Sequence, residues 1–392
     1  MQPLPDLQLQ LRPGIIELGW GHPDPALLPV ADLAAAAAHA LEAHGRDALA
    51  YGFEQGPGRL IEAVRQRLGR VEGSAPPPEA LMITGGNSQA LDMLCAQLSR
   101  PGDVALVEAP TYHLALRIFR DRGLRLAAVP GDERGMDVGA AGELLRRLRA
   151  IGQRVAFLYV VASFGNPSGV SLAPERRQAL ADLAARESLA VIEDDAYGEL
   201  WYDAPPPAPL VSLAPGAMVA RLGSYAKVLA PGLRLGWMQA PPELVRRCAG
   251  AGVFDSGGGV NHFTAHVVAS LLEQGRLDAH VAGLRATWRS RRDALLGGLA
   301  RHLPRNCFWQ PPLGGYFVWV RLPPEIDAAA LLPEAEAAGV AYLPGELFFA
   351  AGGGRSFLRL SFSLLPPEQL EEGARRLGAT LRAALSRHNV VY

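Results

Sequence analysis

From about Tyr51 onward, short apolar runs alternate with longer stretches of helical periodicity, and glycine- or polar-rich loops separate them. That alternation restricts the chain to a layered α/β architecture, because strands joined through helices pair in parallel and bury both faces of their sheet. Strands are expected over 80–84, 104–107, 124–129, 155–161, 190–193 and 219–222, and helices over 31–44, 89–98, 114–122 and 174–187. A long helical pattern over 261–303 follows, then apolar runs over 316–322 and 356–362 on either side of a helix near 328–338. The expected fold is α/β, with a large domain built on a mostly parallel central sheet flanked by helices and a smaller α+β domain. The expected division places residues 1–45 in an N-terminal arm packed on the small domain, 46–280 in the large domain and 281–392 in the small one.

In an open α/β sheet, ligands bind at the carboxyl ends of the strands. The polar punctuation falls there: Gly85-Gly86-Asn87, Asn166-Pro167-Ser168-Gly169, Asp194 to Tyr197, and Ser224 to Lys227 each follow an expected strand. Four loops remote in sequence would then meet at one edge. One of them carries an unusual residue. Of the 38 basic side chains all but one are arginine, and the exception is Lys227. A surface ion pair or a phosphate contact accepts arginine. A covalent imine does not, because guanidinium stays protonated whereas an ε-amine can lose its proton and attack a carbonyl. Composition alone leaves a chance surface lysine about as well supported as a nucleophile.

Several classes are disfavoured. The net charge of −1 offers no clustered positive field for a nucleic-acid backbone. The opening MQPLPDLQLQLRPG has no basic start leading into an apolar run, and no apolar stretch is long enough to span a bilayer. Cys95, Cys248 and Cys307 lie far apart, without zinc spacing or a disulfide framework, so a cytoplasmic location is expected. His262 and His266 are spaced i,i+4, but no Glu follows the first, so no metal is expected. Gly56-Pro57-Gly58 lacks the third glycine of a dinucleotide fingerprint, and no P-loop is present.

A set of motifs in a fixed order adds a resemblance. Thr-Gly-Gly-Asn-Ser-Gln-Ala-Leu from Thr84, Glu-Ala-Pro-Thr-Tyr from Glu108, Gly-Asn-Pro-Ser-Gly from Gly165, Glu-Asp-Asp-Ala-Tyr from Glu193, Ser-Tyr-Ala-Lys from Ser224 and Ala-Pro-Gly-Leu-Arg-Leu-Gly-Trp from Ala230 stand in this sequence. Together they resemble the fold type I pyridoxal-phosphate enzymes of the class I/II aminotransferase family. The nearest flavour is the aminoadipate/kynurenine aminotransferase group and the aminotransferase-like part of MocR-type regulators. The resemblance runs from Arg12-Pro13-Gly14-Ile15 to Arg359-Leu360-Ser361-Phe362-Ser363.

The resemblance implies pyridoxal 5′-phosphate as cofactor and a role for each matching residue. Lys227 resembles the lysine that forms the internal aldimine and shuttles the Cα proton. Asp194 resembles the carboxylate facing the pyridine nitrogen; its neighbour Asp195 is the rival, and the spacing to Ala196-Tyr197 selects Asp194. Tyr197 and Asn166 resemble donors to the phenolate oxygen, and Asn166 also borders the substrate. Tyr112 resembles the aromatic stacked on the ring. Gly85, Gly86 and Asn87 at a helix start, with Ser224 and Arg234, resemble the phosphate site. Tyr51 resembles the tyrosine that reaches the phosphate of a neighbouring subunit, which implies a homodimer with shared active sites. Arg359 resembles the clamp on the substrate α-carboxylate. Gly21 and Trp20 would border the substrate; Trp20 stands where relatives carry a small residue, which points to a smaller or apolar donor.

The expected activity is transfer of an amino group from an L-amino acid to a 2-oxo acid. A β-lyase or decarboxylase on the same scaffold is the alternative, since the fold does not choose the bond broken. A non-catalytic effector-binding domain is least favoured, because the winged-helix segment of the regulators would have to precede Arg12.

Overall fold

The computed structural model describes residues 5–389. Its main element is an eight-stranded sheet in the order Leu81–Thr84, Gly236–Gln239, Val219–Ser224, Val191–Asp194, Val155–Val160, Val104–Ala109, Arg125–Asp132, Gly135–Met136. Neighbours from Val219–Ser224 to Arg125–Asp132 are parallel. Gly236–Gln239 runs against both of its neighbours, and Gly135–Met136 closes the far edge antiparallel. Period-2 alternation supplies both faces. Phe157, Tyr159 and Val161 pack into one apolar cluster while Leu158, Val160 and Ala162 pack into the other. Helices such as Asn87–Leu98, His113–Asp121 and Pro174–Glu187 cover the sheet, as an α/β layer requires.

A second, antiparallel sheet has the order Phe308–Trp309, Phe317–Arg321, Phe357–Ser361, Leu343–Pro344. Ile16–Glu17 pairs in parallel with Val340–Ala341, and Leu18 and Arg359 tie the same segment to this sheet: Ser361 N donates to Leu18 O at 2.7 Å and Arg359 to Gly19 O at 2.6 Å. The N-terminal segment therefore lies beside residues that are distant in sequence.

The structure departs from the expected elements in places that have a local cause. The pattern over 261–303 is two helices, His262–Glu273 and Arg276–His302, because Gly275 adopts φ 68 and ends the first. The strand Gly236–Gln239 was not expected; it fits because Gly223 on the neighbouring strand leaves room for the Trp237 indole, which would lie 2.1 Å from any Cβ there. Helices Gly58–Glu72, Val138–Ala150 and Pro367–Asn389 were also not expected, and their arginine-rich faces hid the apolar stripe. No helix among the described residues is long and apolar enough to cross a membrane.

Candidate active site

The carboxyl ends of the parallel strands gather most of the expected residues. Gly85, Gly86 and Asn87 follow Leu81–Thr84, Tyr112 follows Val104–Ala109, and Asn166 follows Val155–Val160. Asp194 is the last residue of its strand and Lys227 lies one turn beyond Val219–Ser224.

Lys227 is partly buried, and its Nζ donates to the carbonyl of Gly21 at 2.9 Å. The rings of Tyr316 and Tyr197 stand 5.5 and 6.0 Å from that nitrogen. Lost hydration, and secondarily the positive charge of Arg359, push the Lys227 ammonium down to about 8. The Tyr316 hydroxyl donates to Lys227 O at 2.9 Å and fixes the backbone that carries the amine.

Asp194 is buried and meets neutral donors only: the Tyr159 hydroxyl at 2.8 Å and Asn87 Nδ2 at 2.6 Å. Burial raises its pKa against the lowering effect of those two bonds. A carboxylate in that state gains most from a cation placed against it. The Asn87 side chain is thus turned to Asp194, which leaves its backbone at the helix start as its only means of reaching a phosphate. Asp195 has a different partner, Arg221, at 2.6 Å.

Arg359 is 3% exposed. It donates to Asn166 Oδ1 at 2.8 Å and to Gly19 O at 2.6 Å, and lies 4.1 Å above the Phe317 ring. Desolvation lowers its pKa to about 10, so it stays charged at neutral pH. Tyr197 is buried, and burial raises its hydroxyl pKa far above the ordinary value. Burial likewise pushes Tyr112 up to about 12.

Helix Asn87–Leu98 begins at Gly86, φ 86, without a side-chain cap, so its first amides are free for an anion. Arg234 crosses this start: a Cβ on Gly86 would lie 3.2 Å from Arg234 Nη2, which also reaches Gly85 O at 3.4 Å. Ser224 Oγ accepts from Ala226 N at 3.1 Å, and its hydroxyl proton remains available.

Two expected residues stand apart from these contacts. Tyr51 is 89% exposed and makes no hydrogen bond to the cluster. Trp20 is half-buried, edge-on to His22 at 5.2 Å, while Gly21 packs on Phe317, where a Cβ would approach to 2.8 Å. Sequence reasoning did not single out Tyr159, Tyr316 or His22. The sole hydroxyl within the apolar run Val155–Val160 was the available signal for Tyr159. His22 borders Lys227 and Arg359, and burial and both charges hold its ring neutral. Glu108, half-buried near Asp194, has its carboxyl pushed up to about 8 by lost hydration.

Lys227, Arg234 and Arg359 thus face Asp194 across one edge, together with the positive end of a helix. The balance favours a ligand that carries anionic groups at separate points and a cation near Asp194.

The comparisons agree with this geometry. The family model described as "Aminotransferase class I and II" matches residues 13–377. The aromatic-amino-acid aminotransferase 1 of Thermococcus litoralis is 35% identical over 97% of this chain and 91% of its own length. The 2-aminoadipate transaminase of Thermus thermophilus is 37% identical over 97% and 93%. The crystal structure of Pyrococcus horikoshii kynurenine aminotransferase in complex with PMP superposes with a TM-score of 0.90 at 35% identity, covering 95% of this chain and 92% of that one. With its motifs in order, its fold matched and nearly all of its length aligned, the chain belongs to the class I and II aminotransferase family.

Proposed function

We propose that the protein is a pyridoxal 5′-phosphate-dependent aminotransferase that moves an amino group from an L-amino acid to a 2-oxo acid. The observation that carries the reading is that the chain's one lysine stands, with a depressed pKa, between a carboxylate lacking a cation and a buried arginine.

The residues fit the cofactor. Asn87 Oδ1, Thr111 Oγ1 and Arg359 Nε are buried without hydrogen-bond partners, and the Gly86 cradle has no side chain to fill it. The uncapped helix start with Arg234 and Ser224 would hold the phosphate. Asp194, kept in place by Tyr159 and Asn87, would hold a proton on the pyridine nitrogen. Tyr112 would lie against the ring, and Tyr197 and Asn166 would donate to the phenolate oxygen. When bound, the cofactor supplies a sink for the electron pair left on Cα after the proton departs. Lys227 Nζ, whose neutral form can attack a carbonyl, would hold the cofactor through its aldehyde and would serve as the base that moves the proton at the substrate Cα. Arg359 binds the α-carboxylate in a fixed fork, with its plane steadied by Asn166 and Phe317. Gly21 and Trp20 border the donor side chain, and the indole favours small or apolar donors.

The exposed Tyr51 fits a role in a homodimer, reaching the phosphate of the neighbouring subunit. We divide the chain into an arm over 1–45, a cofactor domain over 46–280 and a small domain over 281–392; residues 1–4 and 390–392 lie outside the described residues. Three free, buried cysteines fit a reducing cytoplasm.

The test is a spectral titration of the holoenzyme with a panel of L-amino acids. At least one donor should convert the pyridoxal absorbance to that of pyridoxamine, and a 2-oxo acid should reverse it. If no amino acid produced a reversible conversion, the reading would fail.

A further inference from the structure

Asn166 sits in a loop between the strand Val155–Val160 and the helix Pro174–Glu187, and one guanidinium ties both ends of that loop. Arg177, in the first turn of the helix, is 1% exposed. Its Nη2 donates to Ala162 O at 2.6 Å and to Ser163 Oγ at 2.9 Å, where the chain leaves the strand. Its Nε donates to Leu172 O at 3.1 Å, where the chain approaches the helix. Its Nη1 donates to Glu193 Oε1 and Ala208 O, both at 3.2 Å. Every N–H that a guanidinium owns is used.

The anchor is itself anchored. Glu193 is fully buried, and its second oxygen accepts from Leu210 N at 2.9 Å. From the other side, Glu108 Oε2 accepts from Val161 N at 2.7 Å. Inside the loop, Phe164 holds φ 50, a conformation that costs a non-glycine residue energy, and its N–H donates to Ser171 Oγ at 3.0 Å. The loop is over-determined at both ends, and the residue between them that contacts the site is Asn166.

We propose that Arg177 is a positioning residue for the reaction: it ties Ala162 and Ser163 to Leu172 so that Asn166 meets Arg359 on one side and the cofactor's phenolate oxygen on the other. This inference rests on the reading of Asn166 as a donor to that oxygen. Lysine cannot replace Arg177, because one ammonium on a flexible stem cannot span both ends of the loop. It would keep a positive charge opposite Glu193, which spares the fold an unpaired buried carboxylate.

The experiment compares Asn166→Ala, Arg177→Lys and Ser163→Ala holoenzymes by the pH midpoint of the bound cofactor's absorbance, and by kcat and KM for an amino donor. A donor to the phenolate oxygen favours the more negative, deprotonated form, so Asn166→Ala raises the midpoint, by about one unit on the scale of a lost hydrogen bond. Arg177→Lys should raise it in the same direction by less. It should also raise KM for the donor through the loosened Arg359 more than it lowers kcat. Ser163→Ala removes one anchor without touching the buried pair, and should give a smaller shift of the same sign even if Arg177→Lys does not fold. A lowered melting temperature with an unmoved midpoint in both variants, while Asn166→Ala moves it, would overturn the positioning role alone. An unmoved midpoint in Asn166→Ala would overturn the reading of Asn166, and the inference with it.

Discussion

Three consecutive carboxylates, Glu193, Asp194 and Asp195, sit at the end of one strand, and the two sides of the sheet treat them oppositely. Glu193 is bonded to Arg177, and Asp195 to Arg221, which also reaches Glu72 at 2.7 Å. Each meets a guanidinium, as buried charges must if they are to remain charged. Asp194, between them, meets only the neutral donors Tyr159 and Asn87. The cations on its side of the molecule, Lys227 and Arg359, bond backbone carbonyls and Asn166 instead. Saturated pairs hold the fold. Charges provided with dipoles rather than counter-ions are held ready for a ligand that brings the missing charge. Removing one partner from the first kind costs stability, and at Arg177 reaches the chemistry only through the Asn166 loop, while removing one from the second costs chemistry directly.

The sharpest break of that contrast is at Lys227. Lys227→Arg keeps the charge and loses the nucleophile, because guanidinium does not deprotonate at working pH. The variant should fold, lose the imine absorbance and have no measurable transamination. Borohydride treatment of the wild-type holoenzyme should label a single side chain; a cofactor adduct on another group, such as the N-terminal amine, would refute the assignment.

Next comes the pair of adjacent acids. Asp194→Asn removes the charge awaiting a cation and should slow the half-reaction by about 3–5 kcal/mol of lost pairing, with only a modest fall in melting temperature. Asp195→Asn leaves Arg221 with Glu72 and should cost about 1–3 kcal/mol of stability, with the rate nearly unchanged. Rapid-mixing absorbance and thermal denaturation separate the two. A reversed pattern would exchange the roles of the neighbours.

The smallest effect sharpens the contrast through pH. A lysine lowered to about 8 is mostly charged below that pH and mostly neutral above it. Incorporation of pyridoxal 5′-phosphate into the cofactor-free protein should therefore accelerate about tenfold per unit as pH rises towards 8, then level off. An inflection near 10.5, the ordinary lysine value, would show that burial does not depress this amine.

Much of this is legible in the sequence. The strand over 155–161 is an uninterrupted apolar run, as a strand buried on both faces favours, and those over 190–193 and 219–222 are shorter apolar runs that carry Glu193 and Arg221. Lys227 stands out because every other Lys or Arg position in the chain is arginine. The loops at the strand ends followed from the rule that helps locate any ligand in such a sheet.

Other features depended on three-dimensional placement. Periodicity assigns a residue to a face but not to a partner across the sheet, so the Tyr159 hydroxyl read as core until Asp194 lay 2.8 Å from it. Asn87 could equally have turned outward; the approach of Asp194 at 2.6 Å turned it inward. Arg177 was one arginine among many, and its value comes from donors reaching residues before and after Asn166 together with a glutamate from the next strand. The sequence by itself determined the layered fold, the alternation of its parallel strands with helices and the one side chain able to form an imine, because these depend on local periodicity and intrinsic chemistry. Only the tertiary structure decided which of three adjacent carboxylates is left without a counter-ion and which arginine holds the Asn166 loop, because burial and long-range hydrogen bonds arise when distant segments pack together.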